Sequence, residues 1–485
     1  MIEEKKPEVE FYGGPFIALV PLLIFVFGAF MCFIVFKVFD MEALAASALV
    51  SIILTALFAK NWGKYWEAAR RGIAAPVAST IVLIFLVISI FARMMAASGV
   101  SQGFVWLGDM LGMHGGWFTM FTFITSCIVS MATGTSIGTV FSCFPILFPA
   151  GILLGGNPGM LAGAVISGAL FGDNLAPISD TTIASAGTQM YSKKSGSADI
   201  PGCVATRFKY AIVAAIMASI GFVIFGGGGS LGAGGEAILA ANMNPKALIM
   251  LIPVVLLLFV AMKTRDLFKS ATVGIISGLI VGLIAGLLTP ASIVHVQDGV
   301  MTGFVFEGVK GIMSTIIFTM SLFTIIGIMN DAGLMDMIVL GFEKGGLLKT
   351  PRMAEAMIGL GSCVVTALMG GVATASILMF GPITDKIGKA QKLHPYRRAN
   401  LVDGYACSIP NCLPFLSAFV FIGAMLVDGL SRQYDFIQPA NPVTIAMSML
   451  HPICLFIVLT FSVITGWGRR FEGENGERVK EKPAN

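Results

Sequence analysis

The residues best suited to chemistry lie between positions 166 and 189, in the sequence ISGALFGDNLAPISDTTIASAGTQ. Six polar side chains follow an apolar run there: Asp173, Asn174, Ser179, Asp180, Thr181 and Thr182. A charged group at membrane depth costs roughly 3 kcal/mol or more and usually marks an ion or substrate pathway. Because Pro177 removes a backbone donor and Gly172 loosens the chain, we expect an interrupted helix here. Such a break frees carbonyl groups and a half-helix N-terminus that can hold ions.

The two carboxylates predict a site where a cation and a proton compete. Oxygen ligands suit a hard cation such as Na⁺. A carboxylate that loses its water also takes up protons more readily. Loading one ion then evicts the other, so we predict that Asp173 and Asp180 bind a transported Na⁺ or H⁺. The alternative is that they cap free N–H groups at a helix start, and the two roles can coexist.

Composition indicates a polytopic membrane protein, with the lipid bilayer as its surroundings. The 485 residues are 56% hydrophobic and 12% charged, with a mean hydropathy of +0.88. Soluble domains carry about 25% charged residues. The net charge of +4 comes from short loops between apolar spans and does not suggest nucleic-acid binding. The eight cysteines form no CxxC pair, so we expect neither a disulfide framework nor a cysteine metal site. No cofactor is expected either.

The apolar segments fall into two halves of similar order. The first half has segments at about 15–38, 43–59, 74–97, 116–153 (broken at Ala132–Thr139), 166–189 and 210–227. The second half has segments at about 247–262, 271–289, 311–329, 353–385 (broken at Met369–Ser376), 399–427 (broken within Tyr405–Phe415) and 443–467. This arrangement predicts a chain that crosses the membrane many times.

A constant shift of 237 residues relates the breaks of the two halves. The matched pairs are Gly134 with Gly371, Pro145 with Pro382, Asn174 with Asn411, and Pro177 with Pro414. We therefore predict an ancient duplication. The predicted parts are an N-terminal tail at 1–14, a first membrane repeat at 15–227, a Gly-rich external connector at 228–246, a second repeat at 247–467 and a C-terminal tail at 468–485.

Charge placement predicts the orientation. Most Lys and Arg residues cluster at 60–71, 193–209, 263–269, 344–352, 386–398 and the C-terminal tail, while the alternate connections and their flanks hold only Lys37, Arg93, Lys246, Lys310 and Arg432. The positive-inside rule then puts both termini in the cytoplasm, in a multi-pass protein of the inner (cytoplasmic) membrane. It also makes the two halves face opposite ways, as inverted transporter repeats do.

Further polar residues in the breaks are candidates for the same ion or substrate site. They are Thr133, Thr135 and Ser136 in the first half, and Thr374, Ser408 and Asn411 in the second. The hydroxyls of the first half could instead bond a helix carbonyl one turn back, and the asparagines Asn174 and Asn411 could serve turn geometry. Asp403 is expected to pair with Arg397 or Arg398. Arg93 is expected to extend to the membrane interface.

The segment GDNLAPISDTT (Gly172–Thr182) resembles the signature GDxxSPxSDTT of the NhaC family of sodium/proton antiporters. Ala176 replaces the usual Ser, which removes that hydroxyl. The resemblance covers about residues 10–470. It implies an all-α polytopic membrane protein with two inverted-topology repeats, each with a re-entrant hairpin and a discontinuous helix. It also implies a homodimer, as in many members of the wider ion-transporter superfamily. From the residues alone, each broken apolar region could equally be a re-entrant hairpin or a pair of full spans.

Two transport hypotheses follow, and an enzyme is not expected. The first is exchange of Na⁺ for H⁺ by alternating access. The second is a Na⁺- or H⁺-coupled carrier or exchanger of a small organic anion, since the resemblance extends to exchangers of malate for lactate. The breaks contain no Lys or Arg, which favours a transported cation over an organic anion. Leu170 stands where a GxGD protease motif needs its first Gly, and no HExxH motif is present.

Overall fold

The computed structural model describes residues 8–36, 41–229, 235–264, 266–297, 299–334, 337 and 350–483. Parts of the predicted N-terminal tail (1–7) and of the Gly-rich connector (230–234) lie outside the described residues. So do Lys37, Arg265, Lys344 and Lys349, which belong to the charge pattern. The statements below concern the described ranges.

The first half of the chain is almost entirely helical. Its helices are α1 (Val20–Phe30), α2 (Met41–Ala56), α3 (Trp62–Ile73), α4 (Pro76–Ala97), α5 (Val100–Met110), α6 (Gly116–Thr133), α7 (Ser136–Leu153), α8 (Pro158–Leu175), α9 (Asp180–Gly187), α10 (Ile200–Phe225) and α11 (Gly235–Ala241). A 3₁₀ turn (Pro15–Leu19) leads into α1, and a π-helical turn (Met31–Val35) follows it.

The second half adds ten helices within the described residues, with two short hairpins. The helices are α12 (Leu251–Thr264), α13 (Leu267–Ile284), α14 (Pro290–Ile293), α15 (Phe304–Asp331), α16 (Pro351–Leu368), α17 (Ala373–Ala390), α18 (Pro395–Ala406), α19 (Ala418–Ser431), α20 (Pro442–Met447) and α21 (Leu450–Thr465). The 3₁₀ turns are Pro245–Met250 and Ile409–Cys412. The hairpins pair β1 (His295–Gln297) with β2 (Val300–Thr302), and β3 (Phe471–Glu472) with β4 (Arg478–Val479). The sequence prediction of an all-α chain did not include these strands.

Several helices are long and apolar enough to cross a membrane. Five described segments qualify by length and composition: Gly116–Thr133, Ser136–Leu153, Pro158–Gly187, Ile200–Phe225 and Phe304–Asp331. The bent pair Val82–Ala97 and Val100–Met110, with 57° between its parts, gives a sixth. The prediction of a mostly helical, multi-pass membrane protein is confirmed.

The predicted breaks fall where the helices end. Helix α8 begins at Pro158 behind Asn157, whose side chain accepts from the Met160 amide at 3.2 Å, a standard N-cap. It ends at Leu175, and α9 starts at Asp180, so the chain leaves the helix around Pro177. The turn between α6 and α7 passes through Gly134 at φ +68°, a conformation that favours glycine. Gly370 and Gly371 turn the chain between α16 and α17 in the same way, at φ +66° and +81°.

Three helices form the centre of the fold. Helix α7 is buried along its length except at Ile137, and α18 is buried except at Tyr396. Helix α8 is buried from Gly159 to Leu175 except at Asp173. The peripheral helices instead expose large apolar side chains, such as Phe27, Ile53 and Ile284. A fully buried centre with an apolar exterior is the pattern expected of a bundle surrounded by lipid.

Candidate functional site

Asp173 contacts three other residues through its carboxylate and its backbone carbonyl. The Ser136 hydroxyl, at the start of α7, donates to Oδ2 at 3.0 Å. The Ser179 hydroxyl, in the break, donates to Oδ1 at 2.5 Å. The Thr181 hydroxyl donates to the Asp173 carbonyl oxygen at 3.0 Å. Four of the predicted site residues therefore meet at the broken helix.

Asp173 faces a cavity of about 100 Å³ that both halves of the chain enclose. Ser136 and Thr181 line it from the first half, and Gly371 and Thr374 from the second. The rest of the lining is mostly apolar and includes five phenylalanines: Phe85, Phe318, Phe323, Phe419 and Phe421. Among the described residues, the lining contains no Lys, Arg or His. One wall is thus a carboxylate with hydroxyls, and the others are aromatic and aliphatic.

Four helices begin at this cavity. The first residues of α7, α17 and α19 line it, as does the second residue of α9; they are Ser136, Ala373, Ala418 and Thr181. Each helix N-terminus carries a partial positive charge. The helix starts therefore favour negative charge in the cavity, whether that of Asp173 itself or of a bound anion. The helix N-termini therefore give the cavity a positive potential, although its described lining has no basic side chain.

Two oxygens of the second half are buried near the cavity and have no hydrogen-bond partner within the described part of the chain. They are Asn411 Oδ1 and Ser417 Oγ, both in fully buried residues. A Cβ placed on Gly371 would lie 3.3 Å from the first and 3.5 Å from the second, so both oxygens face the hairpin turn. Buried polar atoms are normally paired, and neutral oxygens left unpaired are potential cation ligands. Sequence reasoning found Asn411 but missed Ser417, although Ser417 stands 237 residues after Asp180.

Other predicted residues have mainly local contacts. The Thr133 hydroxyl donates to the Val129 carbonyl at 2.9 Å, which is the one-turn-back alternative. Thr135 caps α7 by accepting from the Gly138 amide at 3.3 Å. The Ser408 hydroxyl donates to the Tyr405 carbonyl at 2.7 Å. Asp180 is exposed at the first position of α9.

A buried ion pair lies directly behind the broken helix. Arg207 Nη1 on α10 contacts Asp403 Oδ2 on α18 at 2.5 Å, and both side chains are almost fully buried. Asn174 connects this pair to the break: its Nδ2 donates to Asp403 Oδ1 at 2.8 Å, and its carbonyl accepts from Arg207 at 2.6 Å. The Ser185 hydroxyl donates to Asp403 at 2.8 Å, and the Thr182 hydroxyl lies 3.2 Å from Arg207. The Arg207–Asp403 pair therefore contacts residues on both sides of the break between α8 and α9.

The predicted pairing of Asp403 with Arg397 or Arg398 is wrong. Arg397 contacts Glu355 at 2.8 Å, and Arg398 contacts Asp385 at 3.1 Å. The reason is helix geometry: side chains five or six residues apart do not share a helix face, whereas those three or four apart do. Arg207 was counted with a basic loop, yet it lies inside α10. A basic side chain therefore does contact the break, although its charge is matched by Asp403.

Arg93, on α4, packs against α15 and α19, where its Nη1 donates to Gln433 Oε1 at 3.4 Å. Its extension to the membrane interface stays a prediction. Arg93 lines both a pocket of about 50 Å³, which Ser89 also lines, and a wider one of about 360 Å³. Gly311 and Gly429 make room, since a Cβ there would lie 3.4 and 3.2 Å from its Nη2.

A broken helix with a carboxylate at a central cavity, inside a multi-pass helical bundle, defines the class of a membrane transporter. Residues 13–227 match the model of the Na⁺/H⁺ antiporter family. This match and the relatives below confirm the predicted resemblance to sodium/proton antiporters of the NhaC type.

Three characterised relatives show how far the similarity extends. The malate-2H⁺/Na⁺-lactate antiporter of Bacillus subtilis is 30% identical over 164 residues, 33% of this chain and 35% of the relative. The Na⁺/H⁺ antiporter NhaC of Alkalihalophilus pseudofirmus is 29% identical over 170 residues, 34% and 36% of the two chains. NhaC of Bacillus subtilis is 26% identical over 383 residues, 76% and 78% of the two chains. The chain therefore spans about a third of the first two relatives and about three quarters of the third.

Proposed function

We propose that this protein exchanges Na⁺ for H⁺ across the membrane and that Asp173 is the group the two ions share. The observation that carries the proposal is the position of Asp173. It is the one residue of α8 after Pro158 that is not fully buried, and it faces the cavity between the halves with hydroxyls on both carboxylate oxygens. A carboxylate in this position can bind a cation or a proton, and the two compete for the same negative charge.

The hydroxyls allow the site to serve both ions. A serine or threonine hydroxyl both donates and accepts, so it rotates to suit its partner. With no cation bound, Ser136 and Ser179 donate to the carboxylate. With Na⁺ bound, the same hydroxyls turn their lone pairs to the ion beside one carboxylate oxygen. Asn411 Oδ1 and Ser417 Oγ are further neutral ligands within the same proposal. Asp180, exposed in this conformation, remains a predicted ligand for another stage of the cycle.

Alternating access by two inverted repeats completes the proposal. Helices α7 and α17 begin 237 residues apart, as do α8 and α18, which supports the predicted repeats at 15–227 and 247–467. The Arg71–Asp331 and Arg397–Glu355 pairs lie at ends of α15 and α18 that the charge pattern assigns to the cytoplasm. The inner-membrane location, the cytoplasmic termini and the homodimer are part of this proposal.

Arg93 lies on the proposed access route from the central cavity to the external side of the membrane. Successive turns of α4 carry Phe85 at the central cavity, Ser89 at the small pocket and Arg93 at the entrance to the wide one. The wide pocket also contains Glu307, Lys310 and Arg432, near ends of α15 and α19 remote from the cytoplasmic pairs. In this conformation the guanidinium closes the route to external water.

The accessibility of position 89 tests this route. In a Ser89→Cys protein, replacing Arg93 by Ala is expected to speed external modification by a cationic, membrane-impermeant thiol reagent by at least about 10-fold, since both a plug and a like charge are removed. Labelling of the protein without Ser89→Cys gives the background from native cysteines. Leu83→Cys, at an exposed apolar position on α4, is the matched control and is expected to be unchanged. An equal rate at position 89 with and without Arg93 contradicts the route.

A coupled organic-anion carrier is the second candidate. The aromatic lining of the cavity and the four helix N-termini around it favour a small carboxylate with an apolar body. The Bacillus subtilis malate-2H⁺/Na⁺-lactate antiporter carries such solutes by name. In that case Asp173 serves the coupling ion, and the helix starts hold the solute.

Proteoliposomes distinguish the two. We expect an inward Na⁺ gradient to drive protons out of vesicles containing the purified protein with no organic solute present, as a fluorescent internal pH dye reports. Vesicles with Asp173→Asn protein control for leakage. A pH change only after addition of malate, lactate or another carboxylate favours the carrier. No response to Na⁺ under either condition contradicts Na⁺ coupling.

A further inference from the structure

A second polar pocket, remote from the central cavity, lies at the predicted cytoplasmic end. The chain after α21 folds back so that Leu393 and Phe471 form a β-bridge, and the β3–β4 hairpin packs beside the start of α18. Between this hairpin, α10 and α18 is a pocket of about 90 Å³. It is well below the roughly 300–1,000 Å³ of pockets that hold drug-sized ligands, so it suits one small group.

The pocket is rich in cations. Lys209, Arg470 and Arg478 line it, together with Arg397. Arg397 is matched by Glu355, but no described carboxylate lies within ion-pair distance of the other three. Lys209 Nζ lies 4.8 Å from the Tyr210 ring centre, and the Arg478 guanidinium carbon lies 5.6 Å from that of Tyr396. Aromatic faces stabilise these cations only weakly compared with a bound anion.

The acid in this hairpin, Glu472, has one carboxylate oxygen that accepts from backbone amides and one that is buried without a hydrogen-bond partner among the described residues. Glu472 is the cross-strand partner of Arg478 in the hairpin. Its Oε1 accepts instead from the backbone amides of Ser192 and Lys193, at 2.7 and 2.9 Å. Burial lowers the pKa of His394, which also lines the pocket, to about 4, so this ring is neutral at pH 7. The positive charge of the pocket at neutral pH therefore comes from lysine and arginine.

The backbone is shaped to admit Lys209. Gly468, at φ +77°, lines the pocket, and a Cβ there would overlap Lys209 Nζ and the Tyr210 hydroxyl. A side chain at this position would displace the ammonium group from the pocket. The cation is thus positioned by the fold as part of a built cavity, with neutral donors and acceptors of Thr206 and Asn400 on its floor.

The floor leads directly to the ion pair behind the broken helix. Asn400 Nδ2 donates to Thr206 Oγ1 at 2.8 Å, and Asn400 Oδ1 accepts from Arg207 Nε at 3.1 Å. Arg207 in turn contacts Asp403 and the Asn174 carbonyl. An anion that forms hydrogen bonds with Thr206 or Asn400 therefore affects Arg207 and Asp403, which contact the break between α8 and α9.

We propose that this pocket binds a phosphate-bearing anion, with Lys209, Arg470 and Arg478 as its charged ligands, and that occupancy stabilises the Arg207–Asp403 arrangement. Arg and Lys are the usual partners of phosphate oxygens, and Arg470 and Arg478 offer planar, forked donors. The phosphate comes either from a soluble ion on that side of the membrane or from an anionic lipid headgroup. Binding itself does not depend on the exchange reaction proposed above.

Thermal unfolding of the detergent-purified full chain tests the proposal without a transport readout. Inorganic phosphate, compared with chloride at equal ionic strength, is expected to raise the Tm of the wild type saturably. Protein in nanodiscs of phosphatidylcholine with and without phosphatidylglycerol forms the lipid arm. A shift with inorganic phosphate identifies the soluble ion, and a shift confined to phosphatidylglycerol identifies the headgroup. No shift in either arm overturns the proposal.

Variants locate the effect. Lys209→Gln and Arg478→Gln are each expected to weaken the phosphate response about tenfold in concentration, since each removes one charge-assisted contact. Arg432→Gln, at a cation 63% exposed near the opposite face, is the matched control and is expected to keep the wild-type response. Equilibrium binding of radiolabelled phosphate to the same proteins gives a second measurement if a variant is itself less stable. A response unchanged in the Lys209→Gln/Arg478→Gln double variant also overturns the proposal.

Discussion

Asp173→Asn is expected to lower Na⁺-driven proton flux in proteoliposomes by at least about 100-fold, because the site loses both its charge and its exchangeable proton. An asparagine is nearly the same size, and its amide oxygen still accepts from one serine hydroxyl while its amide nitrogen donates to the other, which rotates to accept. Ser136 and Ser179 therefore both keep a partner, and the fold around the break is expected to persist. The initial rate of the internal pH change, at equal amounts of inserted protein, measures the effect.

Two further substitutions separate charge from position. Asp173→Glu retains a titratable group but moves its oxygens by one methylene, so partial exchange at a higher Na⁺ requirement is expected. Asp180→Asn removes the neighbouring carboxylate, which is exposed in this conformation, and is expected to have a smaller effect than Asp173→Asn. Asp109→Asn, at an exposed carboxylate beside His114, is the matched control for loss of one negative charge. Wild-type flux in Asp173→Asn would remove this residue from the shared site.

Sequence could predict the local features of the site because each depends on residues close in the chain. Pro177 ends α8, and Gly134 provides the left-handed turn between α6 and α7, so the breaks were found from residue type alone. The contact between Ser179 and Asp173 spans six residues of one motif. The 237-residue repeat then indicated Gly371 and Asn411, which lie together in the structure.

Contacts between distant segments were not predictable in the same way. Asp403 and Arg207 are 196 residues apart, and each had nearer candidates of opposite charge in the sequence. Which oppositely charged residue pairs with Arg207 or Asp403 depends on the helix faces that α10 and α18 turn toward each other after packing. The residues of α15 and α19 that line a pocket with Arg93 are likewise far along the chain from it. The cost of charge in a membrane, applied to Arg207 and Asp403 as it was to Asp173, would have marked both as candidates.

The second large effect is expected when one member of the buried pair is removed. Arg207→Met leaves Asp403 charged in a site with almost no water, and Asp403→Leu leaves Arg207 in the same state. Breaking a buried ion pair from one side typically costs about 3–5 kcal/mol, whereas replacing both members with apolar residues of similar size is often close to neutral. Each single variant is therefore expected to lose most of its folded yield and to unfold at a markedly lower temperature, measured by fluorescence during heating in detergent.

The double variant Arg207→Met/Asp403→Leu then separates stability from function. It is expected to regain much of the lost thermal stability, because no uncompensated charge remains. Asn174, however, loses the acceptor of its Nδ2 and the donor to its carbonyl, so both sides of the break lose their anchor. We therefore expect the double variant to fold yet exchange ions poorly, with a raised Na⁺ requirement. The matched control is Lys60→Met/Glu10→Leu, an ion pair at 3.2 Å whose side chains are 48% and 53% exposed, for which little change in either property is expected. A double variant at the buried pair that regained full exchange along with its stability would show that the pair supports the fold alone, since Asn174 would then be held in position without it.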